Sequence, residues 1–232
     1  DRLGDDIVAG LEAVGVDCRL VARHPGLPSP LSAILVDGSG ERTIISYSDP
    51  RLPGPTAHLP DRLPEGVDAV LGDTRWQTGS AHLFRLARAA GKPAILDADR
   101  APVEVPELLD LATHVGFSMQ ALAEFTGVSD PRGALEALGP RGDVWLGVTN
   151  GGEGAFWREG ARIRHEPALP LPVVDTLGAG DTWHGALALR LAEGAGEAEA
   201  VRFANAAASL KCTRFGSRDG APTRAEVDSV LI

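Results

Sequence analysis

The chain has 232 residues, enough for one large α/β domain with a sizeable core. Its 32 acidic against 22 basic residues give a net charge of −10, which argues against nucleic acid as the main partner but leaves small anions open, because a local loop binds phosphate even on an acidic protein. Two distant cysteines, Cys18 and Cys212, make neither a metal spacing nor a disulfide framework and fit a reducing cytoplasm; no stretch approaches a membrane span and no signal peptide opens the chain.

From the start, Ile7 to Gly15 reads as a helix with Ile7, Leu11 and Val14 on one face and Gly15 as its stop. Val16 to Arg23 alternates and predicts a strand, and a proline-rich connector, 24–30, follows. Leu31 to Val36 and Arg42 to Tyr47 predict two strands around the turn signal Asp37-Gly-Ser-Gly40. Three strands without intervening helices do not suit a βαβ sheet, so 16–47 is expected to form a small antiparallel flap on the main domain.

From about residue 66 strands and helices alternate. The expected strands are Val67–Leu71, Pro93–Leu96, His114–Phe117 and Val144–Val148, with a hairpin at Ala155–Trp157 and Ile163–His165. The expected helices are Thr78–Ala90, Val105–Leu111, Ser118–Thr126 ended by Gly127, Pro131–Leu138, Thr182–Glu193, Glu197–Leu210 and Arg224–Leu231. Leu169–Val174 is apolar with strand character at its end. The alternation predicts a mostly parallel sheet with helices on both faces, ligands lying beyond the strands' carboxyl ends.

One loop organises the chemistry. Asp175-Thr-Leu-Gly-Ala-Gly-Asp181 feeds a helix whose Trp183, Leu187 and Leu191 recur at i, i+4, i+8. Gly178, Ala179 and Gly180 carry no bulk, so their N–H groups can converge on an anion at the helix N-terminus. A carboxylate beside an anion makes sense where that anion is transferred and Asp181 takes the proton of the attacking hydroxyl. Taken alone the loop also reads as a glycine turn with Asp181 as N-cap, and Asp175 as a cap on the loop backbone. Thr149, Gly151, Gly152 and Gly154 follow a predicted strand and would let a nucleotide approach the backbone, although a glycine-rich hairpin turn reads the same way. Asp73, Arg75, Asp97, Asp99 and Arg100 cluster at predicted strand ends and are the candidate substrate side chains, Arg75 offering a planar fork to an anionic tail. Asn205 is polar amid alanines. His184, one turn into the key helix, reads as packing, and no histidine pair has metal spacing. No Walker loop, protein-kinase motif set or nucleophile elbow is present.

The heptad resembles the D-T-x-G-A-G-D signature of the PfkB (ribokinase-like) carbohydrate kinases, and Thr149-Asn-Gly-Gly-Glu-Gly154 resembles that family's T-x-G-x-x-G nucleotide loop. The resemblance implies a ribokinase-like three-layer αβα sandwich, a single kinase domain over 1–232 with its β flap, and transfer of the γ-phosphoryl group of ATP to a sugar hydroxyl. It implies Asp181 as catalytic base, Gly178–Gly180 as anion hole, Asn205 on the adenine side and Mg²⁺ arriving with ATP. A monovalent cation, K⁺, would be held by Asp175, Thr176, Gly216 and Ser217. The flap would cover the sugar and pack on a second copy in a homodimer. Asp1-Arg-Leu-Gly-Asp-Asp6, without an initiator Met, begins inside the resembled pattern, so a fragment of a longer protein is expected. Ser118 and Ala121 stand where many members carry the Asn and Glu that order Mg²⁺ through water. That altered segment, with Gly72–Trp76, Leu96–Arg100 and Leu210–Arg214, is similar to the 6-deoxy-6-sulfofructose kinase branch, implying a ketose with a C6 anion phosphorylated at C1. A nucleoside or ribose kinase of the same fold, and a non-catalytic nucleotide- or sugar-binding regulator, are the alternatives; an aromatic content of 5% counts against a second base slot.

Overall fold

The computed structural model describes residues 1–36, 42–52, 54–100 and 107–231. These fall into two compact units, Asp1–Leu59 and Pro60–Ile232.

In the first unit, α1 (Arg2–Glu12) is capped by Asp1, whose Oδ1 accepts from Gly4 N at 2.9 Å. It ends where Gly15 adopts φ +86° and Val16 N reaches back to Leu11 O at 3.1 Å. The strand expected at Val16–Arg23 does not form. Its polar members pair with each other instead: Asp17 Oδ1 accepts from both the backbone N and the Nε of Arg19, and Val21 N closes a turn on Cys18 O. The antiparallel element is therefore the pair β1 (Leu31–Val36) and β2 (Arg42–Tyr47), in register Leu31 with Tyr47 and Ile34 with Ile44. The turn expected at 37–40 lies outside the described residues. Leu31, Leu35, Ile44, Ile45 and Tyr47 are exposed, so this two-stranded ladder shows apolar area on both faces.

The second unit is built on six strands in sequential order: β3 (Val70–Asp73), β4 (Ala94–Ala98), β5 (His114–Ser118), β6 (Trp145–Thr149), β7 (Ala155–Glu159) and β8 (Arg162–Glu166). β3 to β6 are parallel, and β7 and β8 add as an antiparallel hairpin. One face packs on α2 (Gln77–Ala89), α3 (Leu108–Leu111), α4 (Met119–Thr126) and α5 (Pro131–Leu138) through Phe84, Leu109, Leu122 and Leu135. The other packs on α6 (Ala179–Ala192) and α7 (Glu197–Cys212) through Trp183, Leu187, Val201 and Ala204. α8 (Arg224–Val230) is seated on α7 through Val227 and Phe203. The three-layer αβα arrangement is the one the strand–helix alternation predicts. The first two residues of the helix expected at Val105–Leu111 lie outside the described residues; Glu107 is the N-cap and Leu108–Leu111 form α3.

Strand alternation decides what faces the site. On β4, Leu96 and Ala98 enter the core under α2–α5, whereas Ile95 packs under α6 and Asp97 two residues on shares its side. The apolar run Leu169–Val174 is not a strand. Pro170 and Pro172 remove ladder donors, and the N–H groups of Val174 and Asp175 both turn to Cys212 O, at 2.7 and 3.1 Å.

Candidate active site

The loop before α6 is held open by its first aspartate. Asp175 Oδ1 accepts from Leu177 N at 2.9 Å and Oδ2 from Gly216 N at 3.0 Å. These two amides, then Lys211, hold the Asp175 carboxyl below the usual range. Gly178 must be glycine for two reasons: its φ is +78°, and a Cβ there would stand 2.2 Å from Ser217 Oγ. Of the three amides expected to form an anion hole, that of Ala179 closes a turn on Thr176 O at 3.2 Å. Among the described residues the amides of Gly180 and Asp181 have no backbone acceptor, as first-turn amides of a helix. A Cβ on Gly180 would meet nothing within 4 Å, so space stands open beside these donors. Asp181, in the first turn of α6, is exposed.

Asp181 opens on a cavity of about 390 Å³ shared with Asp73, Trp76, Ser80, Asp97 and His184. Buried His184 ties its parts together. Its Nδ1 lies 2.9 Å from Gly180 O and 3.3 Å from Asp97 Oδ2, and its Nε2 lies 3.2 Å from Gly116 O. All three neighbours are acceptors, so the ring bridges the N-terminal turn of α6, β4 and β5. Gly116 leaves room for it: a Cβ there would lie 2.5 Å from His184 Nε2. Burial pushes the Asp97 carboxyl up, the His184 ring opposes the rise, and the carboxylates of Asp99, Asp181 and Asp73 add to it.

The strand ends bring only part of the expected substrate group into this cavity. Asp73 and Asp97 line it. Arg75 instead pairs with Asp99 at 2.7 Å, and Thr74 Oγ1 donates to the other Asp99 oxygen at 3.1 Å. The hydrogen bond to Asp99 holds the Arg75 guanidinium even more firmly protonated. Arg100 is exposed and outside the cavity lining.

In the loop expected to meet a nucleotide, Thr149 ends β6 and Gly151 and Gly152 open a 3₁₀ turn to Glu153. Gly154, at φ +91°, permits β7 to start against β8: a Cβ there would lie 2.2 Å from Glu166 O. Gly152 faces open space. Asn205, expected on the adenine side, sits on α7. It is buried, with Oδ1 accepting from Trp183 Nε1 at 2.8 Å and Nδ2 donating to Glu166 O at 2.7 Å and Pro167 O at 3.2 Å. Its amide is fully engaged in clamping α6, α7 and the end of β8. Ser118 is a helix cap, accepting from Ala121 N at 3.1 Å. Among the described residues no three His, Cys, Asp or Glu side chains converge as a metal-binding group, and no helix is long and apolar enough to cross a membrane.

Two features escaped sequence reasoning. The Asp97–His184 pair joins residues far apart in the chain, and no local pattern announces it. Lys211 was visible in principle: it continues the spacing Ala200, Ala204, Ala207 on the buried face of α7, and it is fully buried.

Fold and loop together define a class: an αβα protein with a glycine-lined helix N-terminus opening on a carboxylate-lined cavity. The chain belongs to the pfkB family of carbohydrate kinases, whose model matches residues 1–224. It is 45% identical over 86 residues to a ribokinase of Bacillus subtilis, a stretch covering 37% of this chain and 29% of that enzyme. It is 29% identical over 239 residues to a Haemophilus influenzae ribokinase, covering 97% and 76% of the two. The crystal structure of a ribokinase candidate from Agrobacterium tumefaciens superposes with a TM-score of 0.88 at 38% identity, covering 100% of this chain and 77% of the other.

Proposed function

We propose that this chain transfers the γ-phosphoryl group of ATP to a hydroxyl of a sugar, with Asp181 as proton acceptor. The observation that carries the reading is the placement of Asp181 at the mouth of a cavity, beside two first-turn amides and the open space over Gly180. Gly180 and Asp181 N–H donate to the transferring group, and the α6 N-terminus favours its negative charge. Asp181 takes the proton of the attacking hydroxyl. Asp97, steadied by His184, accepts from a second sugar hydroxyl and fixes the sugar's orientation. Thr149, Gly151, Gly152 and Gly154 form the nucleotide side, Gly152 offering the open approach. Mg²⁺ bound to ATP, largely through water, would supply Lewis-acid charge neutralisation of the phosphates. ATP as co-substrate supports a cytoplasmic location.

The cavity lining carries Asp73, Asp97 and Asp181 and no arginine, and Arg75 is paired with Asp99, which favours a neutral sugar such as ribose over an anionic one. The ribokinase relatives support the same choice. A ketose with an anionic C6 tail, phosphorylated at C1, draws on Arg75, whose side chain is 54% exposed beyond its bond to Asp99. Release of ADP with ribose, fructose, fructose 6-phosphate, 6-deoxy-6-sulfofructose and adenosine decides among them. Turnover is expected on a neutral sugar, falling about a hundredfold in Asp181→Asn with ADP affinity retained. Turnover on adenosine alone would move the reading to a nucleoside kinase, and nucleotide binding without turnover on any acceptor would replace it with a regulator. A homodimer belongs to the same reading, a second copy covering the exposed Leu35, Ile44 and Ile45 of the β1–β2 ladder. Sedimentation of Ile45→Glu should then give a monomer where the parent gives a dimer.

A further inference from the structure

The family resemblance implies a monovalent cation beside the anion loop, at Asp175, Thr176, Gly216 and Ser217. The residues present do not fit one. The place next to Asp175 is taken by a side chain of the protein itself. Lys211, at the last turn of α7, is fully buried, and its Nζ donates to Asp175 O at 2.8 Å and stands 3.6 Å from Asp175 Oδ2. The lysine stem is walled in as well: a Cβ on Gly220 would lie 3.4 Å from Lys211 Cε and 2.5 Å from Gly216 O. Gly216 offers its N–H to Asp175 Oδ2, and Ser217 packs its Oγ where a Gly178 side chain would be. Both Asp175 oxygens are thus engaged by amides of Leu177 and Gly216, with an ammonium as the neighbouring positive charge. A metal cation brought to the same carboxylate and carbonyl would meet that ammonium with both charges poorly screened.

We infer that Lys211 is a built-in monovalent cation: it does for the Asp175–Asp181 loop what an ion from solution would otherwise do, and the protein takes no K⁺ there. The chemistry is that of substitution. An ammonium and K⁺ carry the same charge and seek the same oxygen ligands, but the ammonium is tethered to α7 and needs no occupancy from solution. It neutralises Asp175, fixes the carbonyl from which the loop departs, and leaves positive potential behind the first-turn amides of α6. This rests on the nucleotide reading for its consequence, but its structural half stands apart from catalysis.

The test compares the thermal midpoint without nucleotide, and the ADP dissociation constant, in KCl and in tetramethylammonium chloride at equal ionic strength. For the unmutated chain the midpoint is expected to be the same in both salts and the affinities to agree within about twofold. Lys211→Ala should bind ADP about tenfold more weakly in tetramethylammonium and recover in KCl or ethylammonium chloride, because the vacated space admits a small cation. Lys211→Met, which keeps the apolar stem and fills that space, should lose affinity equally in every salt. A midpoint or affinity of the unmutated chain that rises saturably with K⁺ overturns the inference, whether or not the variants fold. So does a folded Lys211→Ala or Lys211→Met that binds ADP in tetramethylammonium as tightly as the parent. Absence of ADP binding in either salt would instead remove the nucleotide reading, and the midpoint comparison would still decide the cation.

Discussion

The two glycines flanking Ala179 in the helix-capping loop should respond in opposite ways to the same methyl group. Gly178 sits at φ +78°, ψ +9°, and an added Cβ would lie 2.2 Å from Ser217 Oγ and 3.3 Å from Ser217 Cα. The left-handed conformation alone costs a non-glycine residue about 1–2 kcal/mol. Relieving the contact with Ser217 adds to that: its hydroxyl must turn away and its Cβ, 3.1 Å off, must give by a few tenths of an ångström, which displaces the loop that carries the following amides. Gly178→Ala is therefore expected to lose about 2–3 kcal/mol of stability and most of its turnover. Gly180 lies inside α6, and a Cβ added there would meet nothing within 4 Å. Gly180→Ala should gain up to about 1 kcal/mol from helix propensity. Yet its methyl enters the space assigned to the transferring phosphoryl group, so turnover should fall while stability does not. Urea denaturation and ADP release on the active sugar measure both quantities. A Gly180→Ala protein with full turnover would show that no phosphoryl group occupies that space.

Other perturbations follow from the buried groups. Burial lowers the His114 imidazole to about 4 from 6.5, opposed by Glu197, so the folded protein takes up this proton less readily than the unfolded chain. Stability should then fall by about 2–3 kcal/mol as pH drops from 6.5 towards 4, and His114→Gln should flatten that slope in urea titrations; an unchanged slope would contradict the assignment. Asn205→Ala leaves Trp183 Nε1 and the Glu166 carbonyl without their partner and should cost about 1–3 kcal/mol. Its ADP affinity should stay within about threefold of the parent, since both ends of the amide are engaged within the protein; a selective loss of affinity with stability kept would instead support the adenine-side role.

Much of this architecture could be read from the residues, because its signals are local. The stripe Trp183, Leu187, Leu191 announced the buried face of α6, and Gly127, at φ +74°, ends α4 where expected. The failures share a cause. Val16–Arg23 has strand-like alternation, but Asp17 and Arg19 satisfy each other across two residues and bend the backbone. Leu169–Val174 has strand-like composition, but its prolines leave it no ladder. At the site, the loop's glycines were legible because Gly178 answers a local backbone demand. Asn205 was not, because its partners Glu166 and Pro167 lie 39 and 38 residues away and only the fold brings them to it. Arg75 has the fork of an anion ligand, but its pairing with Asp99, just past the end of β4, is not legible from either stretch alone.

The central claim is that Asp181 and the amides beside it receive the transferring phosphoryl group. A crystal structure of the chain with AMP-PNP, Mg²⁺ and the sugar that gives turnover tests this most directly. The account predicts the terminal phosphorus over Gly180, its oxygens within about 3 Å of the Gly180 and Asp181 N–H groups, and the sugar hydroxyl between phosphorus and the Asp181 carboxylate. A terminal phosphate directed away from α6, with no sugar hydroxyl in reach of Asp181, would contradict it.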